Sequence, residues 1–225
     1  MQSLFEKYRP KDWPDVIGQE RAVKALLVLK ARGGFGGRAY FVTGGPGTGK
    51  GSISWIMARE LADEGDIDEI DARDCTLDKV REIADHLKLA HRCLFRASKA
   101  WIINEADDLR ADVLARLKTA LEPKGGIPDS CAIIFTCTKE SAKLLWDDSE
   151  DAPQFLGRCL LVKLGKINHD TAANYVHGIA DKEGLNGKPD TFWKRLAMDC
   201  RGDLRMMLTK TDAGIALEAD DKGEA

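Results

Sequence analysis

Two periodicities share the chain. Short apolar runs mark buried strands at 39–43 (AYFVT), 100–103 (AWII), 131–136 (CAIIFT) and 159–164 (CLLVKL), and 67–71 alternates as a fifth. Between these runs the period lengthens to that of a helix. A glycine-rich turn follows the first strand at once, and a helix is predicted over 49–63. Over 77–90, Val80, Ile83, Ala84, Leu87 and Ala90 fall on one face, as in an amphipathic helix. The stretch 111–121 is also helical, stopped by Pro123, Gly125 and Gly126.

Past Lys166 the strands cease. Three helices are predicted, over 170–183, 190–200 and 203–217, with Gly184 and Gly202 where helix ends are expected. Strands alternating with helices imply an α/β fold, a parallel five-stranded sheet covered on both faces. The change of pattern places a domain boundary near 164–168. The expectation is an α/β nucleotide-binding domain over 1–166, a three-helix lid domain over 167–217 and an acidic tail over 218–225 that frays.

Composition narrows the class. The 225 residues are 44% hydrophobic and 32% charged, which suits a globular chain and argues against a disordered, collagenous or membrane-embedded one. The net charge of −3 matches that of the tail alone, where Glu218, Asp220, Asp221 and Glu224 face only Lys222. The body is balanced, so any nucleic-acid contact has to come from a local patch. The six cysteines include no C-x-x-C pair and the four histidines are scattered, so reduced, mostly buried thiols are expected rather than a zinc module. With no apolar signal core and no long apolar run, the expected location is cytoplasmic, with no membrane partner.

The strongest chemical signal lies at 44–51, Gly-Gly-Pro-Gly-Thr-Gly-Lys-Gly. It matches G-x-x-x-x-G-K between a strand and a helix, the context that makes a P-loop. Across Gly45, Pro46, Gly47, Thr48 and Gly49 the glycines would turn successive N–H groups into one concavity, Pro46 itself having none to give, and Lys50 would reach the β- and γ-phosphates of ATP. The next position should carry a Ser or Thr hydroxyl for Mg²⁺; it is Gly51, with Ser52 about 100° further round the helix. A second acidic site is expected where the third strand ends, at Asn104-Glu105. The first of these would normally be an aspartate holding Mg²⁺ through water, and the second the base that polarises the attacking water. Asn104 can hydrogen-bond to a metal-bound water but brings no charge. The tentative Mg²⁺ set is therefore Ser52, Asn104 and Glu105.

Taken together, these segments resemble the AAA+ ATPase subunits of clamp loaders: replication factor C small subunits and the bacterial DNA polymerase III gamma/tau subunit. Glu6-Lys7-Tyr8-Arg9-Pro10 and Asp15-Val16-Ile17-Gly18-Gln19-Glu20 look like the family's N-terminal signature. The resemblance implies that Tyr8, Arg9, Pro10 and Ile17 wrap adenine and ribose. It makes Thr138, after Phe135-Thr136-Cys137, the candidate sensor 1. Arg158, in Gly157-Arg158-Cys159, would be a finger acting in trans on a neighbour's γ-phosphate. Arg205, in Gly202-Asp203-Leu204-Arg205, would touch nucleotide from the lid. The resemblance covers about 5–210, and the chain has no room for the C-terminal collar domain usual in such subunits.

The family's DNA-tracking helices correspond to 74–96 and 108–118. Between Arg73 and Lys99 basic residues exceed acidic ones by three, with Lys79, Arg81, Arg92 and Arg96 as candidate contacts. Such an excess suits salt-dependent phosphate contacts without sequence preference; a solvated amphipathic face would look the same. The implied partners are other AAA+ clamp-loader subunits, a sliding clamp and primer–template DNA. The implied cofactors are ATP and Mg²⁺. Two alternatives stand beside an ATP-hydrolysing loader: a weakly or non-hydrolysing structural subunit, favoured by Gly51 and Asn104, and another DNA-remodelling AAA+ protein.

Overall fold

The computed structural model describes residues 2–92, 98–122, 126–138 and 151–217. Five strands form one parallel sheet: β1 (Arg38–Thr43), β2 (Ile67–Asp71), β3 (Lys99–Asn104), β4 (Cys131–Cys137) and β5 (Cys159–Lys163), in the order β2-β3-β4-β1-β5. Parallel neighbours need crossovers, and helices supply them. The helices of the described residues are α1 (Leu4–Lys7), α2 (Glu20–Ala31), α3 (Lys50–Arg59), α4 (Leu77–Arg92), α5 (Ala111–Ala120), α6 (Asp151–Leu156), α7 (His169–Glu183), α8 (Asp190–Asp199) and α9 (Leu204–Asp212).

Alternation along β1 explains the two layers. Ala39 and Phe41 face one side, with Trp101, Ile103 and Phe135, against Val80, Ile83 and Leu87 of α4 and Leu114 and Leu117 of α5. Tyr40 and Val42 face the other, with Ile102 and Ile134, against Leu26 of α2 and Ile53, Ile56 and Met57 of α3. Both faces are therefore dry, which is why these strands read as apolar runs. Truncating a core side chain such as Ile134 to alanine would cost roughly 2–5 kcal/mol.

A third cluster gathers Leu4 of α1 with Val176, Ile179, Trp193, Leu196, Met207 and Leu208 of α7, α8 and α9. Helix α1 thus packs on the C-terminal helices, although it lies at the other end of the sequence. Lys7 Nζ donates to Glu183 Oε1 at 2.7 Å, and the Tyr8 hydroxyl donates to the same carboxylate. The N-terminal strap and the C-terminal helices so form the wall facing the sheet's carboxyl edge. Segment 164–168, where the sequence changes pattern, joins β5 to α7.

The helix at 49–63 is shorter than predicted, closing at Arg59 before a 3-10 turn at Glu64–Asp66. The last helix also closes early, at Asp212 rather than 217, ahead of Gly214 at φ +82°. Three helices were not anticipated. In α2 the apolar side chains do not share one buried face: Leu26 is buried while Leu27 and Val28 are exposed. Helices α1 and α6 are too short to establish a period. The tail over 218–225 lies outside the described residues. No helix among the described residues is long and apolar enough to cross a membrane.

Candidate functional site

Strand β1 lies where the strand order reverses direction: the chain leaves it for β2, two places beyond its neighbour β4. Ligands of open α/β sheets bind at the carboxyl edge of such a point. A cavity of about 450 Å³ opens there. Its walls come from the N-terminal strap, the turn after β1, the ends of β2, β3 and β4, and the start of α9.

The turn from Gly44 to Gly49 has the backbone geometry that the sequence pattern calls for. Gly47 and Gly49 adopt φ +67° and +93°, the left-handed region that favours glycine, and Gly49 caps α3. Thr48 Oγ1 donates to Gly45 O at 2.8 Å and pins the loop. The Lys50 ammonium donates to Gly44 O at 2.8 Å and Gly45 O at 3.0 Å. Burial pushes its pKa below the ordinary lysine value; Glu105 leads the opposing charges, which include Asp107 and Asp203. A cation held in a partly desolvated cup beside a helix N-terminus is a strong anion receptor. Gln19, only 4% exposed, ties the loop to the end of the sheet. Its Nε2 donates to Gly165 O at 2.8 Å and Thr48 O at 3.3 Å, and its Oε1 accepts from Gly165 N at 3.0 Å.

The cavity brings together Tyr8, Arg9, Pro10, Ile17, Pro46, Gly47, Thr48, Gly49, Lys50, Gly51, Ser52, Asn104, Glu105, Thr138 and Arg205. Their positions within it are specific. The Arg9 guanidinium lies beside the first turn of α3: a Cβ on Gly51 would come within 3.3 Å of its Nη2. Arg205 places its guanidinium 4.8 Å from the centre of the Phe5 ring, a cation–π contact within the cavity wall. Glu105 follows β3 with φ +55°, a conformation rarely adopted by a side-chain-bearing residue and often found at functional positions.

Asn104 is held from two sides. Its Nδ2 donates to Glu69 Oε1 at 2.7 Å, and its Oδ1 accepts from Thr136 Oγ1 at 2.9 Å. Trp55 Nε1 in turn donates to Glu69 Oε2 at 2.8 Å. Glu69, Asp71, Thr136 and Asp203 all line the cavity and were not anticipated as site residues. The alternation of β2 carries a signal for the first two, since Glu69 and Asp71 share a face near the strand's carboxyl end. Asp203 is the N-cap of α9: its carboxylate accepts from Met206 N at 3.0 Å. It also abuts the phosphate loop, for a Cβ on Gly47 would meet the Asp203 carboxylate and come within 2.9 Å of its Cα.

The tentative Mg²⁺ set fits poorly. Mg²⁺ needs hard oxygen donors, typically one or two carboxylates beside phosphate and water. Position 51 offers no side-chain oxygen and has a guanidinium beside it. Asn104 is neutral and already accepts the Thr136 hydroxyl. Ser52 lines the cavity but lies a step round the helix. Glu105 is the carboxylate that remains of the expected set. Among the described residues, no group of three or more His, Cys, Asp or Glu side chains is placed to hold a metal ion.

Arg158 does not line this cavity. It follows α6 and is held by the Glu122 carboxylate and the Gln154 carbonyl of its own chain. The basic excess near α4 is largely self-neutralised: Lys79 pairs with Glu82 and Asp68, Arg81 with Asp78, and Lys88 with Asp85. Arg92 closes α4, and Arg96 lies outside the described residues.

No protein-family model matches the chain. It is 27% identical over 243 residues to DNA polymerase III subunit tau of Bacillus subtilis, spanning 97% of this chain and 40% of that protein. It is 26% identical to the replication factor C small subunit of Methanocella arvoryzae, spanning 96% of this chain and 64% of the relative. Against the replication factor C large subunit of the same organism it is 34% identical over 191 residues, spanning 84% of this chain and 32% of the relative. The chain thus spans about a third to two thirds of the length of these relatives. Among solved structures, a point mutant of RuvB from Thermotoga maritima superposes with a TM-score of 0.67 at 22% identity, covering 91% of this chain and 64% of that one. That likeness bears on the fold, a P-loop AAA+ arrangement with its five-stranded parallel sheet and C-terminal helices.

Proposed function

We propose that this chain, a distant homologue of clamp-loader AAA+ subunits, binds ATP within a clamp-loader-like assembly that places a sliding clamp on primed DNA. The observation that carries the reading is the Lys50 ammonium, partly desolvated and held against Gly44 and Gly45 at the mouth of a glycine-lined turn that opens α3. In this reading the Lys50 ammonium and the backbone N–H groups of Gly45 and of 47–50 hold the triphosphate, while Tyr8, Pro10 and Ile17 close around the base and ribose. Ser52 and Arg205 add contacts from α3 and α9. Glu105 orients water, Thr138 senses the phosphate end, and Arg158 reaches a neighbouring subunit. Arg158 leaves its Glu122 contact in doing so. The partners are further AAA+ subunits, the clamp and primer–template DNA. ATP supplies the phosphoryl group when bound; the residues at 51 and 104 do not fit a Mg²⁺ ion beside it.

A second reading, a subunit that binds nucleotide but hydrolyses it weakly or not at all, is favoured by Gly51 and by the neutral, doubly hydrogen-bonded Asn104. Turnover of Mg²⁺–ATP with and without primed DNA separates the two. Hydrolysis by the parent that Glu105→Gln abolishes removes the second reading; uptake without turnover removes the first. Capture of a sliding clamp in the presence of ATP distinguishes both from another DNA-remodelling AAA+ protein.

A further inference from the structure

We infer that the nucleotide site operates without a divalent cation, the Arg9 guanidinium serving as the counter-charge at the first turn of α3. The inference rests on the nucleotide-binding reading above and deepens it. Gly51 is its starting point. The residue sits in regular helix with no positive φ, so its backbone gives no reason for glycine. Glycine within a helix costs about 1 kcal/mol relative to alanine. What glycine provides here is space: any Cβ would crowd Arg9 Nη2 at 3.3 Å, and a threonine side chain would need the head group to move.

Arg9 is suited to the place. It lines the same cavity as Lys50 and Ser52, is about a third exposed at 32%, and stands 3.8 Å from Glu6 on one side. Pro10, which follows it, fixes its own φ and restricts the backbone of Arg9. A guanidinium keeps its charge at every working pH and offers a planar fork of donors that fits two phosphate oxygens at once. The second metal position is altered in the same sense. The Asn104 amide accepts from Thr136 and donates to Glu69, so it is engaged without any ion. Both changes remove metal ligands, and one of them admits a permanent cation.

Calorimetric titration of ATP into the full chain, once with Mg²⁺ and once with EDTA, tests this. The dissociation constants in the two buffers should agree within about threefold. Arg9→Ala should weaken uptake in EDTA by about tenfold or more, and Arg9→Lys should recover part of it, since a point charge lacks the fork. Circular dichroism melts establish that both variants fold, and the lysine variant carries the test should the alanine variant not. Gly51→Thr should displace Arg9 and weaken uptake in EDTA as well. Uptake by the parent in Mg²⁺ but not in EDTA overturns the inference and leaves the nucleotide reading standing, as does EDTA uptake indifferent to Arg9. No uptake in either buffer overturns the nucleotide reading itself.

Discussion

The Asn104 amide donates to Glu69 Oε1 at 2.7 Å across the β2–β3 pair, whose register sets Asp71 opposite Asn104. An acid at position 104 would therefore turn a donor into a second carboxylate against Glu69. Asn104→Asp is predicted to destabilise the fold at neutral pH by about 1 kcal/mol, despite restoring a metal-type ligand. Adding Glu69→Gln should return the loss, because the new amide can donate to the new carboxylate. Urea midpoints of the two single variants and the double variant measure the coupling. A single Asn104→Asp variant as stable as the parent contradicts the assignment.

Gly47 sets the distance between the phosphate loop and α9. Its φ of +67° and the nearness of the Asp203 Cα leave no room for a methyl group. Gly47→Ala should push the start of α9 away from the loop, at a cost of roughly 1–3 kcal/mol from strain at a left-handed position. The sheet core should persist in circular dichroism while ATP affinity falls by at least about tenfold. Unchanged affinity would show that the Asp203 contact does not matter to the site.

Glu183 is the hinge pin of the N-terminal strap. The hydrogen bond from Lys7, then that from Tyr8, holds its carboxyl below the usual glutamate range. A lowered folded value means the stabilisation is complete above the ordinary value and fades as pH falls through the lowered one. Glu183→Gln should melt earlier than the parent at pH 7, with the difference shrinking as the pH is taken below 4.5, the ordinary glutamate value. A constant difference across that range would place the effect elsewhere.

Charge at the end of α4 gives a prediction for DNA. Lys79, Arg81 and Lys88 are tied to acids of their own chain, whereas Arg92 lies in the last turn with no acidic partner among the described residues. Arg92→Glu should weaken binding to primed duplex at low salt and reduce the salt slope by about 1. Arg81→Glu should do less, because Asp78 already offsets Arg81. Equal effects, or none, would remove α4 as the DNA-facing element.

What the sequence made legible follows from burial. Strands dry on both faces appear as uninterrupted apolar runs, so β1, β3 and β4 are legible to within a residue or so; β5, an edge strand with Leu161 exposed, is legible because its composition is still apolar. The glycine turn was legible because its backbone demands glycine at 47 and 49. Long-range pairing left no such trace. Nothing local indicates that Glu69 orients Asn104 from the next strand, that Glu183 anchors Tyr8 across 175 positions, or that Arg9 fills the space beside Gly51. Helix α2 escaped because Leu27 and Val28 point outward and blur its period. The resemblance gave Arg9 contact with adenine and ribose; it lines the cavity with Tyr8, Pro10 and Ile17, its head group by the first turn of α3.

The account stands most directly on the Lys50 ammonium as the anchor for a triphosphate. Titration calorimetry with ATP, on the parent and on Lys50→Ala shown to be folded, measures it. Saturable uptake by the parent, reduced about a hundredfold or more in the variant, is the predicted result. Silent titrations with the parent, or identical isotherms for the two proteins, would contradict it.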